Sequence, residues 1–290
     1  INYYILDQMI KFKCPPLNQP NSWSSLPAQP LFECLNPENI VNLFTAILIE
    51  RQVVFISSQL SLLTSAAEGI TSLMYPLRWV HVYVPVLPLP LIGILAAPLP
   101  FIVGILSTYL AEEDCYIGEE SVRVYLDENK IGFGTLGPPP TIPERRRKKL
   151  ISAINTSGNA FANRDDNWRK CILPLYDSAY SMSVRPNEVD GVEFSGQVNE
   201  LEIRCAFLNF FVAIFMDYRK YMVTDSRRER FKFDQFLDDC SDKNRDFYEL
   251  LLNSQSFSQF IESRQLMDER DPDVAFFDES IHAKRNRSSI

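Results

Sequence analysis

Histidine is nearly missing from this 290-residue chain: there are two, His81 and His282. One falls in an apolar run and the other near the end, so neither a Ser-His-Asp relay nor a histidine-based metal centre can be put together. Hydrolytic chemistry loses its usual base. Positive charge is also short, with 29 lysines and arginines against 37 aspartates and glutamates, a formal net charge of −8. That balance argues against a surface that neutralises many phosphates, and so against nucleic acid as a partner. The cysteines, Cys14, Cys34, Cys115, Cys171, Cys205 and Cys240, form no CxxC pair and no spacing that a zinc site or a secreted disulfide framework uses. They read as unpaired thiols of a cytoplasmic protein, in which the sequons at Asn155 and Asn286 carry no meaning. Initiator Met and signal peptide are absent too, since the chain opens INYYILDQMI; this reads as a fragment of something longer.

What is present is an ordinary globular balance. Hydrophobic residues make up 46% and charged ones 23%, which sets disorder aside for the bulk of the chain. The length suits one large domain or two average ones. Proline is the conspicuous excess, 19 against 10 glycines, and six lie between Pro76 and Pro100 in the most apolar stretch. Residues Trp79 to Ile105 have the length and hydropathy of a membrane span, but Pro85, Pro88, Pro90, Pro98 and Pro100 would each break a helix. The expectation is core strands joined by proline turns.

Periodicity predicts an amphipathic helix over residues 1 to 12, with Tyr3, Leu6, Met9 and Ile10 at helical spacing, followed by a proline linker after Cys14. From Leu31 helix and strand alternate. Helices are expected at Asn36 to Ile49, Leu60 to Met74 and Leu91 to Leu95. Strands are expected at Gln52 to Ile56, His81 to Val86, Phe101 to Gly104 and Ser121 to Leu126. Continuous apolar strands between helices imply an α/β fold, an open, mostly parallel sheet flanked by helices. A capping box at Thr141 to Glu144 should open a helix running to about Ile154. After a polar loop at 176 to 199, helices are expected at Glu200 to Met222, Phe233 to Cys240 and Arg245 to Gln265, a mainly helical segment packed on the sheet. The tail from Met267 reads as polar and mobile.

Few motifs offer chemistry. Gly132, Gly134 and Gly137 match GxGxxG after a strand, but Pro138, Pro139 and Pro140 prevent a helix from starting there, and no acidic residue follows at the distance a ribose needs. A flexible turn is the reading, and no cofactor is called for. The carboxylates of Glu112, Glu113 and Asp114, and of Asp238 and Asp239, read as solvated rather than as an acid/base pair. The basic run Arg145, Arg146, Arg147, Lys148, Lys149 sits on the first turns of a helix, where positive charge opposes the dipole. It reads as a solvated face, with acidic lipid head groups or an acidic partner as the next alternative and nuclear import last. The segment Ile203 to Met216 is apolar almost all round and predicts a buried helix.

The string ERQVVFISSQLSLLTSAAEGITSLMYPLRWVHVYVPVLP, followed by APLPFIVGI, resembles the central part of the DENN domain. The shared motif falls on Tyr75, Pro76, Trp79, Val84, Pro85, Leu87, Pro88, Ala97, Pro98, Pro100, Phe101 and Gly104, and SVRVYLDENKI is similar to the strand and turn that follow. Downstream, AFLNFFVAIFMDYRKYM, FDQFL and FYELLLNSQSFSQFIESR resemble the later DENN segment in the same order. The resemblance implies five parts: residues 1–30 as the end of a longin-like upstream lobe with its linker, 31–135 as the central part, 136–199 as a linker, 200–266 as the downstream part, and 267–290 as a tail.

It further implies guanine-nucleotide exchange on a Rab-family small GTPase, shared with the missing upstream lobe, on a cytoplasmic protein recruited peripherally to membranes in vesicle traffic. An exchange factor does no covalent chemistry, which suits the empty search for catalytic groups. Loops at the carboxyl ends of parallel strands are the expected contact surface: Ser57, Ser58, Leu87, Pro88, Leu89, Leu106, Ser107 and Tyr109. Tyr75, Pro76 and Trp79 are assigned to packing. Two further readings stay open. One is a DENN-type scaffold that assembles with a partner DENN protein without exchange activity. The other is a GTPase-activating role with Arg51, Arg78 or Arg123 as the projecting arginine.

Overall fold

The computed structural model describes residues 2–5, 8–11, 28–157, 199–225, 228–266 and 271–288. Strands β1 (Asn2–Ile5) and β2 (Gln8–Lys11) pair antiparallel from Asn2↔Lys11 to Ile5↔Gln8. This corrects the helix expected over residues 1 to 12. Helices that short are marginal on their own, and Tyr3, Tyr4, Ile5 and Ile10 are residue types that favour extended backbone. The linker after Cys14 lies outside the described residues.

The central sheet has strands β3 (Val53–Ser57), β4 (Val82–Val84), β5 (Phe101–Leu106), β6 (Val122–Tyr125) and β7 (Lys130–Gly132), in the order β4-β5-β3-β6-β7. All neighbours are parallel except β7, a strand the sequence reading did not place, which turns back antiparallel on β6. Strand β3 is buried throughout, as an apolar strand between two parallel neighbours should be. Its alternate side chains feed two cores. Val53 and Phe55 face the larger one, with Ile102, Val122 and Val124. Val54 and Ile56 face a smaller one, with Leu87, Ile92, Leu95, Phe101, Val103 and Ile105.

Helices α1 (Gln29–Cys34), α2 (Pro37–Leu48) and α3 (Leu60–Ser72) belong to the larger core. Pro37 at the first turn and the Asn36 side chain, which accepts from the Asn39 N–H at 2.8 Å, start α2. On the other face the cover is a 3₁₀ helix, Leu89–Ala96, whose Ile92 and Leu95 point inward. The proline-rich stretch is thus strand, 3₁₀ helix and strand, and among the described residues no helix is long and apolar enough to cross a membrane.

Helix α4 (Glu144–Ser157) begins later than a Thr141 cap requires, because the Pro143 carbonyl already accepts from Arg146 and Arg147 at 2.7 and 3.0 Å. The expected capping box does not form. Helix α5 (Glu200–Ile214) is buried as its composition demands: the Phe44 ring meets Phe207, Phe210 and Phe211 edge-on at 4.7, 5.6 and 5.8 Å. It stops well before Met222, a 3₁₀ turn at Tyr218–Tyr221 follows, and strands β8 (Met222–Asp225) and β9 (Arg228–Phe231) form a hairpin between the two expected helices, in line with the β-branched Val223 and Thr224.

Helix α6 (Phe233–Asp238) follows. The single helix expected from Arg245 to Gln265 is two, α7 (Arg245–Leu252) and α8 (Gln255–Leu266), because the buried Ser254 hydroxyl accepts from the Phe257 N–H at 3.1 Å and caps the second. Helix α9 (Pro272–Ser288) replaces the expected mobile tail, with Val274, Phe277 and Ile281 buried. The polar loop at 176 to 199 lies almost wholly outside the described residues.

Candidate protein-interaction surface

The parallel strands β4, β5, β3 and β6 present their carboxyl ends side by side, with Ser57 opposite Leu106 and Val84 opposite Val103. This brings together the loops chosen from sequence. Asp127, just past β6, accepts from the Ser57 hydroxyl at 2.6 Å and from the Ser58 N–H at 2.7 Å, and the Ser57 oxygen accepts from the Gln59 N–H at 3.0 Å. The loop after β3 is therefore fixed by a carboxylate that the sequence reading passed over. The geometry of the Ser57–Asp127 pair is that of a turn.

Two of the eight chosen residues are interior. Ser57 is spent on Asp127, and Leu87 packs with Ile92 and Leu95 while its N–H donates to the Gly104 carbonyl at 2.7 Å. Ser58, Pro88 and Leu89 are exposed; Leu106, Ser107 and Tyr109 are half-buried. Exposed Val86, Leu91 and Leu110 extend the same loops, so this end of the sheet offers an apolar rim with few charges. Glu112, Glu113 and Asp114 close the segment on one side and are exposed.

Gly104 holds this end in shape. A Cβ on Gly104 would sit 1.9 Å from the Pro85 carbonyl oxygen, so the turn leaving β4 can lie across β5 only above a glycine. Gly134 has φ +60° and would drive a Cβ to 2.2 Å from the Glu119 carbonyl; with no helix until Glu144, it forms a turn and not a phosphate cradle. Phe101 is buried and Pro98 exposed. Trp79 Nε1 donates to the Val82 carbonyl at 3.1 Å, and its ring meets His81 edge-on at 5.2 Å. Pro76 follows Tyr75 in a cis peptide.

Near the opposite, amino end of the sheet the downstream segment docks on Glu50. Glu50 follows α2 in the left-handed region, φ 57°, where its N–H reaches the Ile47 carbonyl and the Arg51 N–H reaches Ala46. Glycine normally holds such a position. Its carboxylate instead accepts from the N–H groups of Gln255 and Ser256 at 2.9 and 2.8 Å and from the Ser256 hydroxyl at 2.8 Å, capping α8, with His81 Nε2 3.0 Å away. Tyr75 is buried against Phe276 and Phe277, and its hydroxyl donates to the Asp273 carbonyl at 2.5 Å. Burial, with Asp273 next, pushes that phenol well above its ordinary range. Nearby, Tyr218 donates to Asp278 at 2.7 Å while Arg264 stacks 3.5 Å over Phe260 and donates to the Tyr218 oxygen.

None of the three candidate arginines projects from the carboxyl end. Arg51 donates to the Gly137 carbonyl at 2.5 Å, Arg123 to the Ile117 carbonyl at 3.1 Å, and Arg78 pairs with Asp273.

The model of the DENN (AEX-3) domain matches residues 5–129, and that of the dDENN domain matches residues 231–280. DENN domain-containing protein 2B of Mus musculus is 29% identical over 238 residues, 81% of this chain and 19% of that protein. Protein 2A of Homo sapiens is 30% identical over 239 residues, 81% and 22%, and human protein 2C is 28% identical over 238 residues, 81% and 23%. The chain spans about a fifth of the length of the curated relatives it matches. With both segments matched in order and clasped through Glu50 and Tyr75, this chain belongs to the DENN-domain family.

Proposed function

We propose that this chain is the DENN-lobe portion of a guanine-nucleotide exchange factor for a Rab-family small GTPase, acting at membrane surfaces in vesicle traffic. The observations that support the reading are the two matched family segments and the exposed apolar residues Val86, Leu89, Leu91 and Leu110 on the loops that leave the carboxyl ends of the parallel strands. Ser58, Pro88, Leu89, Leu106, Ser107 and Tyr109 are the proposed contacts, shared with a longin-like upstream lobe.

Such a surface needs no nucleophile. It binds the nucleotide-free GTPase more tightly than the loaded one, and by linkage lowers the GTPase's affinity for nucleotide by the same factor. Holding the switch segments away from magnesium and phosphate lets GDP leave and GTP replace it. The test is release of a fluorescent GDP analogue from a panel of Rab GTPases by the intact protein. Acceleration for at least one supports exchange; a stable complex with a second DENN protein and no acceleration supports the scaffold reading instead.

A further inference from the structure

Three cations converge where α4 and α9 flank α5, on residues that neither family model matches. The basic run on α4 is divided by helical geometry. Arg147 faces Glu38 and Lys148 pairs with Glu144 at 3.4 Å, while Arg146 and Lys149, three residues apart on one face, line a cavity of about 350 Å³. Lys284 of α9 lines it from the other side and donates to the Asn209 carbonyl at 3.2 Å. Leu150 and Phe210 supply an apolar floor, and among the described residues no carboxylate lines the cavity. Burial, then the charges of Arg146 and Lys149, pushes the Lys284 ammonium down to about 8. In a chain of net charge −8, three cations share this one cavity.

We propose that this cavity binds a phosphate-bearing ligand carrying two or more negative charges, held by Arg146, Lys149 and Lys284. A guanidinium offers a planar fork to two phosphate oxygens, and two ammonium groups from different helices add point charges on either side. The same chemistry is found on a phosphorylated lipid head group and on a free small phosphate ester.

The test measures binding of inositol trisphosphate and pyrophosphate to the intact protein by calorimetry, and flotation with phosphatidylcholine vesicles carrying phosphatidylinositol bisphosphate or phosphatidylserine at equal charge. Heat with the soluble phosphates and no flotation identifies a free ligand; flotation with the bisphosphate vesicles, with or without heat from inositol trisphosphate, identifies a lipid head group; either supports the site. Lys284→Gln and the exposed Lys149→Gln should each weaken binding at least about tenfold, and Lys148→Gln should leave it unchanged. The proposal is overturned if no probe binds, if phosphatidylserine vesicles bind equally well, or if Lys148→Gln weakens binding as much as Lys284→Gln.

Discussion

Glu50 accepts two hydrogen bonds from Ser256, from its N–H and its hydroxyl, both at 2.8 Å across 206 positions of sequence. A residue held in the left-handed region at the end of α2 thus caps α8 of the downstream segment. Local strain of this kind persists only where surrounding contacts over-determine it. Here those contacts join the matched DENN and dDENN segments.

Replacing Glu50 by Gln should cost about 2 kcal/mol at pH 7, since hydrogen bonds to a charged group are worth more than neutral ones. Burial raises the Glu50 carboxyl, but the donors of Gln255, Ser256 and His81 outweigh it and hold the group below its ordinary value of 4.5. A depressed carboxylate stabilises above its unfolded pKa and loses that contribution as pH falls through the folded one. Urea denaturation should therefore show the difference between wild type and Glu50→Gln intact at pH 7 and shrinking below about pH 4.5.

Gly104→Ala should destabilise by about 3 kcal/mol, because its methyl group would meet the Pro85 carbonyl and backbone must shift to admit it. Gly132→Ala is the control: nothing stands within 4 Å of a Cβ there, and thermal denaturation should barely change.

Lys284 gives a signature at high pH. A lysine whose folded pKa lies below its ordinary 10.5, here at about 8, binds fewer protons folded than unfolded between those values. Stability should rise with pH across that window, and Lys284→Gln should remove this part of the rise. Equilibrium unfolding at pH 7, 8, 9 and 10 measures it directly.

Leu89→Asp places a charge on the open rim at a residue that is 37% exposed. Stability should stay within about 0.5 kcal/mol of wild type, while GTPase binding falls at least about tenfold. Leu201→Asp, exposed on the first turn of α5, should change neither stability nor binding.

Much of the α/β core was legible because its strands are short apolar runs, with Pro85 just after β4 and Pro100 just before β5. Helix α2 was legible through Asn36 and Pro37. What sequence hid was long-range: Asp127 under Ser57, Ser256 on Glu50 and Asp273 on Tyr75 are separated by 70 to 206 positions, and no local period records such pairs. The tail misled for a related reason. Helix α9 has little apolar character of its own, and Phe277 becomes buried only against Tyr75 and Phe260. Ser57 and Leu87 were chosen for standing at strand ends, which fixes position but not exposure.

The most direct measurement is the rate of fluorescent GDP release from each member of a Rab panel, with and without the intact protein and its Leu89→Asp variant. The account predicts faster release from at least one GTPase, tighter binding of its nucleotide-free form, and loss of both in the variant. No acceleration from any GTPase by a folded protein would contradict it, as would acceleration that Leu89→Asp leaves untouched.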